Sequence, residues 1–123
     1  MGKMKTLFWS RLDELIKSSE VIIDRPKGTP HPRYPDLIFP LDYGYLKGTT
    51  GGDGDGIDVW RGTAGHRKLT AIGCTVDMKK KDAEIKLIIG CTDEEIAIIE
   101  KCHNGLHQSA IIIRRSKGNT KNI

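Results

Sequence analysis

Leu69-Thr70-Ala71-Ile72-Gly73-Cys74-Thr75-Val76 and Ile85-Lys86-Leu87-Ile88-Ile89 are two runs rich in apolar and β-branched residues, and the stretch between them, Asp77 to Glu84, is polar and charged. Side chains branched at Cβ fit the pleated surface of a strand, and a charged insert between two such runs reads as a hairpin loop. Upstream, Ile57 to Arg61 also has strand character, and Gly48, Gly51, Gly52, Gly54 and Gly56 mark a long loop before it. Leu37 to Leu46 is apolar and aromatic but interrupted by Pro40, which predicts a bent or edge segment. Val21-Ile22-Ile23 fits a short strand, whereas Pro26, Pro30, Pro32 and Pro35 exclude regular helix from the stretch that follows.

Helical periodicity is confined to the two ends. Phe8, Trp9, Leu12, Leu15 and Ile16 recur at helical spacing among charged residues and predict an amphipathic helix from about Leu7 to Lys17. Thr92 followed by Glu95 forms a capping box, and Ile96, Ile99 and Cys102 continue a helix that Asn104-Gly105 ends. Leu106 to Arg115 reads as a last strand, and residues 116–123 as a loose polar tail. Short strands with a helix at either end do not alternate as βαβ units, so the expected class is mainly β (α+β), a closed or partly closed small barrel forming a single domain over residues 1–123.

The composition is that of a folded protein, with 37% apolar and 29% charged residues in 123. The formal charge of +4 is spread along the chain, and no basic run interleaved with aromatics resembles a nucleic-acid surface; nucleic acid is not an expected partner, whereas an anionic ligand is compatible. Cys74, Cys91 and Cys102 lack disulfide or zinc spacing and read as buried free thiols. With no run of about 20 apolar residues and no signal-like stretch, a cytoplasmic location and no membrane partner are expected.

Asp53, Asp55 and Asp58 lie in Asp53-Gly54-Asp55-Gly56-Ile57-Asp58, where glycines let the backbone turn tightly enough for carboxylates to converge. Converging carboxylates repel, and a hard divalent cation such as magnesium removes that repulsion. A solvated turn is the plainer alternative, since Asp and Gly are common turn residues. An EF-hand is disfavoured because Ala64 stands where its twelfth-position Glu is required. Asp77, Asp82 and Glu84 form a second acidic group among Lys79, Lys80, Lys81 and Lys86, readable as a mixed-charge surface loop or, if it faces the first group, as the other half of a metal site.

Phe39-Pro40-Leu41-Asp42-Tyr43-Gly44-Tyr45 followed by Asp53-Gly54-Asp55-Gly56-Ile57-Asp58-Val59 resembles the signature of soluble inorganic pyrophosphatases. Asp24-Arg25-Pro26-Lys27-Gly28-Thr29 with Arg33-Tyr34 is similar to that family's early strand and its substrate-binding basic residue, and the likeness extends over roughly Val21 to Ile89. The resemblance implies a five-stranded OB-like barrel, dependence on magnesium (Mg2+) and hydrolysis of pyrophosphate or a related phosphoanhydride. It implies Asp53, Asp55 and Asp58 as metal ligands, with Asp55 also receiving a proton from the attacking water. Asp77 and either Asp82 or Glu84 would complete the metal set, Tyr43 would be an active-site tyrosine, and Arg33 and Lys86 would contact phosphate.

The chain departs from that pattern at Pro35, where the family has an acidic residue, and at Phe39, which replaces a tyrosine. A segment carrying a phosphate-binding arginine is missing before Leu37, and so is the family's long C-terminal region with its Tyr-Lys pair. Lys47, Arg61, His66, Arg67 or Arg114-Arg115 are candidates to replace the lost cations. The alternative function is a catalytically weak OB-like module that binds metal and phosphate. The four histidines have no metal-ligand spacing, His103 being explained by the dipole of the helix it ends, and Trp60 reads as barrel wall. The apolar N-terminal helix makes a homo-oligomer compatible with the sequence.

Overall fold

Period-two alternation along the central hairpin organises the molecule, because it gives one sheet two apolar faces and leaves each to be covered by a helix. The computed structural model describes residues 2–116. Its elements in chain order are α1 (Gly2–Lys17), β1 (Val21–Arg25), β2 (Asp42–Leu46), β3 (Asp58–Arg61), β4 (Leu69–Asp77), β5 (Asp82–Ile89), α2 (Asp93–Cys102) and β6 (Gln108–Arg114). The expected strands and both helices are present, and the class is α+β, mainly β. α1 begins earlier than the apolar periodicity indicates, because its first turns are largely exposed and carry no apolar stripe. The proposed tail lies, from residue 117 onward, outside the described residues.

The six strands form one mixed sheet in the order β1-β2-β3-β5-β4-β6, antiparallel throughout except where β3 runs parallel to β5. This differs from the expected five-stranded barrel, closed or partly closed, in having a sixth strand and a sheet that does not close. β4 has its two edges filled by β5 and β6, so no edge of β4 remains for closure onto β1. β6 takes that edge because its Ile111-Ile112-Ile113 run pairs with Ile72, Gly73 and Cys74.

One core cluster, built on Trp9, Leu46, Val59, Leu69, Ile72, Leu87 and Ile89, sits beneath α1, with Leu12, Leu15 and Ile16 packed against it. The other, built on Leu41, Trp60, Ala71, Ile88, Cys91, Ile96 and Ile99, sits beneath α2. Neighbours along β5 therefore point to opposite cores, Leu87 and Ile89 to the first and Ile88 to the second. Arg115 ties the last strand to α1 through a paired contact with Asp13 at 2.8 Å. A trough of about 710 Å³ lined by Leu12, Ile57, Cys74, Val76, Leu87 and Ile111 opens beside α1. Among the described residues no helix is long and apolar enough to cross a membrane. Cys91 is buried as expected, but Cys74 is half-buried and Cys102 exposed.

α2 begins as its sequence dictates. The Thr92 hydroxyl accepts from the Glu95 N–H at 3.2 Å, and the Glu95 carboxylate accepts from the Thr92 N–H at 2.9 Å. Glu95 also accepts from the Thr63 N–H and, at 2.6 Å, from the Thr63 hydroxyl, which pins the β3–β4 connection to the helix. Burial pushes the Glu95 carboxyl up, but these hydrogen bonds outweigh it and leave it below its ordinary range.

Candidate functional site

The parallel register of β3 and β5 sets Asp58 opposite Lys86, and that of β2 and β3 sets Tyr43 opposite Trp60. Alternation then puts Tyr43, Asp58, Trp60, Glu84, Lys86 and Ile88 on one face of the sheet, the one covered by α2. The glycine loop folds back over the hairpin end of β5. Gly52 lies so close to β5 that a β-carbon there would come within 2.5 Å of the Ala83 carbonyl oxygen, and Gly54 adopts φ +89°, a left-handed conformation that favours glycine. Asp53, between them, is thereby carried to Glu84.

A carboxylate oxygen from each of Asp53, Asp58 and Glu84 lies within 4.8 Å of the others. Lys86, only 5% exposed, inserts its ammonium among them, donating to Asp58 at 2.5 Å, to Glu84 at 2.6 Å and to the Tyr43 hydroxyl oxygen at 3.0 Å. Burial pulls the Lys86 ammonium down, yet Tyr43, Asp58 and Glu84 outweigh it and hold it above its ordinary value, so it is charged at neutral pH. Burial raises Tyr43, which stays a protonated phenol. Glu84 is raised first by burial and further by its contact with Asp53, and that same contact is the main reason why Asp53 is lowered. The contact between the two carboxyls thus favours the protonated form of Glu84 and the ionised form of Asp53, while the Lys86 ammonium opposes the rise at Glu84.

Of the residues singled out from sequence, the structure brings together Asp53, Asp58, Glu84, Lys86 and Tyr43. Asp55 is exposed, and its N–H donates to the Asp53 carboxylate at 3.0 Å. Asp77 accepts from the N–H groups of Lys79 and Lys80, each at 3.0 Å, and so shapes the hairpin turn. Asp82 faces Asp77 at the mouth of that turn, and of the two residues Asp82 and Glu84 it is Glu84 that joins the acidic group. Arg33 is exposed on the proline-rich loop, its N–H donating to His31 at 3.0 Å. Three candidate replacement cations are engaged elsewhere, Arg61 with Asp42, Arg114 with Asp93 and Arg115 with Asp13.

Sequence reasoning missed how the aromatic residues line up. Tyr34, His31, Phe39, Tyr43, Trp60 and His103 form a continuous ladder, with successive ring centroids 5.1, 5.9, 5.4, 4.6 and 5.6 Å apart. At its buried end the Trp60 indole N–H donates to His103 Nε2 at 2.9 Å, while Nδ1 lies 3.1 Å from the Gln108 side-chain oxygen. Burial lowers His103, so the ring is neutral at pH 7 and serves as acceptor for Trp60. This corrects the helix-dipole explanation of His103, which requires a charged ring. Its helix-terminal position is visible in sequence, but its contact with Trp60, far away in the chain, is not.

No protein-family model, no curated protein and no solved structure matches this chain.

Proposed function

We propose that the chain is a magnesium-dependent hydrolase of phosphoanhydrides, related to the soluble inorganic pyrophosphatases. The observation that carries this reading is the convergence of Asp53, Asp58 and Glu84 beside Lys86 and Tyr43, from three separate segments of the chain. Carboxylate oxygens are the hard donors magnesium takes; on that ion at most one pair of the three stands on opposite sides, about 4.2 Å apart, and the other pairs close to about 3 Å, so the group must draw in from its present spacing. The strand order β1-β2-β3-β5-β4 with a parallel β3–β5 pair supports a five-stranded OB-like barrel as the underlying plan, β6 being an addition along β4. A cytoplasmic location fits three free thiols.

In this reading Asp53, Asp58 and Glu84 hold the ion, which would acidify a water and neutralise charge on the phosphates. Lys86, released from its carboxylates by the ion, is free to donate to a phosphate oxygen, and Tyr43 donates its O–H alongside. Arg33 contributes charge from the proline-rich loop. Asp55, exposed and next to the cluster in sequence, accepts the proton lost by the attacking water.

A second reading, a binding module with little turnover, is favoured by the Lys86 ammonium already neutralising Asp58 and Glu84. Phosphate release from pyrophosphate, measured with and without magnesium in the wild type, Asp55→Asn and Asp58→Asn, separates the two. Magnesium-dependent release lost in both variants supports the hydrolase. A folded wild type that binds magnesium and releases nothing sinks it in favour of the module.

A further inference from the structure

The outer end of the aromatic ladder is surrounded by positive charge. Arg25 lies over the Phe39 ring at 5.9 Å and Lys79 over the Tyr34 ring at 5.8 Å. His31 is depressed first by burial and then by the fields of Arg25, Lys80 and Arg33, so these cations lie close enough to act on one imidazole. None of Arg25, Arg33, Lys79 and Lys80 takes part in an ion pair among the described residues. Tyr34 is 45% exposed, and the His31 and Phe39 rings beneath it are nearly parallel, at 12°. The ladder then passes to Tyr43, whose hydroxyl meets Lys86 at 3.0 Å.

Inorganic pyrophosphate makes no use of a ring surface; cations and a metal satisfy it. An exposed aromatic step, flanked by cations free of carboxylates and connected ring by ring to the phosphate-binding lysine, matches a ligand with a flat π system at one end and phosphates at the other. We propose that the substrate of this site is a nucleoside diphosphate, with its terminal phosphate at Lys86, Tyr43 and the acidic cluster and its base against Tyr34 and His31. Arg25, Arg33 and Lys80 would attract the phosphates toward the ladder. The proposal rests on the hydrolase reading. In the step it implies, a water oxygen bonds to the terminal phosphorus while the bond from that phosphorus to the bridging oxygen breaks. The bond's electron pair leaves on the nucleoside monophosphate and the water's proton passes to Asp55 and on to solvent; nothing is oxidised or reduced.

The test is equilibrium binding, in magnesium, of methylene-bridged ADP and of methylenediphosphonate to the wild-type chain, Tyr34→Ala and Tyr34→Phe. In parallel, magnesium-dependent phosphate release is measured from ADP and from pyrophosphate. The nucleoside analogue is expected to bind roughly ten-fold more tightly than methylenediphosphonate, Tyr34→Ala to abolish that preference and Tyr34→Phe to keep it. Equal affinity for the two analogues, or a preference that survives Tyr34→Ala, overturns the proposal. So does tighter binding of inorganic polyphosphate that ignores Tyr34, since such a ligand uses the cations without the rings. Pyrophosphate turnover alongside any of these results, or with none from ADP, leaves the hydrolase reading intact and overturns the nucleoside diphosphate as substrate, whereas binding of the nucleoside analogue with no phosphate release from either substrate overturns the hydrolase reading and the substrate proposal with it.

Discussion

Two sequestered glutamates, Glu84 on β5 and Glu95 at the start of α2, are held in opposite ways. Glu95 accepts three kinds of donor, the Thr63 and Thr92 N–H groups and the Thr63 hydroxyl, and its carboxyl is lowered. Glu84 has one ammonium donor, which it shares with Asp58, and a second carboxylate against it, and it is raised. A carboxylate whose surroundings are complete fastens two segments together. One whose surroundings are short of positive charge is prepared for a ligand, which is the commoner signature of a working site.

The largest effect that would sharpen this contrast is on stability. Glu95→Ala leaves three donors without their acceptor and should cost about 3 kcal/mol, read as a lower denaturant midpoint. Magnesium affinity should be unchanged, and a variant as stable as the wild type would break the comparison.

Next in size is the response to magnesium itself. At a concentration about 100 times its dissociation constant the ion should stabilise the wild type by roughly 2.7 kcal/mol, and it should do far less for Glu84→Gln. Equal thermal shifts in the two proteins would remove Glu84 from the ligand set.

The smallest effects concern pH, and they have opposite signs. Glu95 is depressed in the folded state, so its stabilisation is present above the ordinary glutamate value of 4.5 and is lost as pH falls below it. The destabilisation caused by Glu95→Gln should therefore shrink on acidification. Glu84 is raised, so the folded state loses stability as pH climbs through and above 4.5, and Glu84→Gln should be within about 0.5 kcal/mol of the wild type, or better, at neutral pH. Denaturant titrations of both variants at pH 4 and pH 7 compare the two signs directly.

What could be read from sequence was what is local. The capping box is a relation between neighbouring turns, and Thr92 and Glu95 form it as their spacing indicates. That Glu95 also fastens Thr63 depends on where the β3–β4 connection passes, which no local pattern records. Alternation along β5 gives Asp82, Glu84 and Lys86 the same face, so period alone could not choose between the two acids. The choice came from register, with Asp58 opposite Lys86 across a parallel pair and Gly52 letting Asp53 reach the same end. The ladder is not visible in sequence because its rings are scattered between His31 and His103; the pairing of β2 with β3 sets Tyr43 beside Trp60, and the loops on either side bring up the rest. Closure into a barrel was misjudged for a similar reason, since three consecutive isoleucines state that β6 is a strand but not which edge it occupies.

Lys86 acts as a tethered counter-ion, present from the moment the chain folds. Its ammonium pairs with Asp58 and Glu84 and so offsets part of the repulsion within the acidic group, a charge the sheet carries with it and need not take from solution. In the proposed magnesium-dependent hydrolase, loading would be an exchange in which the four-carbon arm of Lys86 swings aside, and depletion its reversal. If the hydrolase reading holds, activity would follow the supply of free magnesium while the fold itself would not wait on the ion.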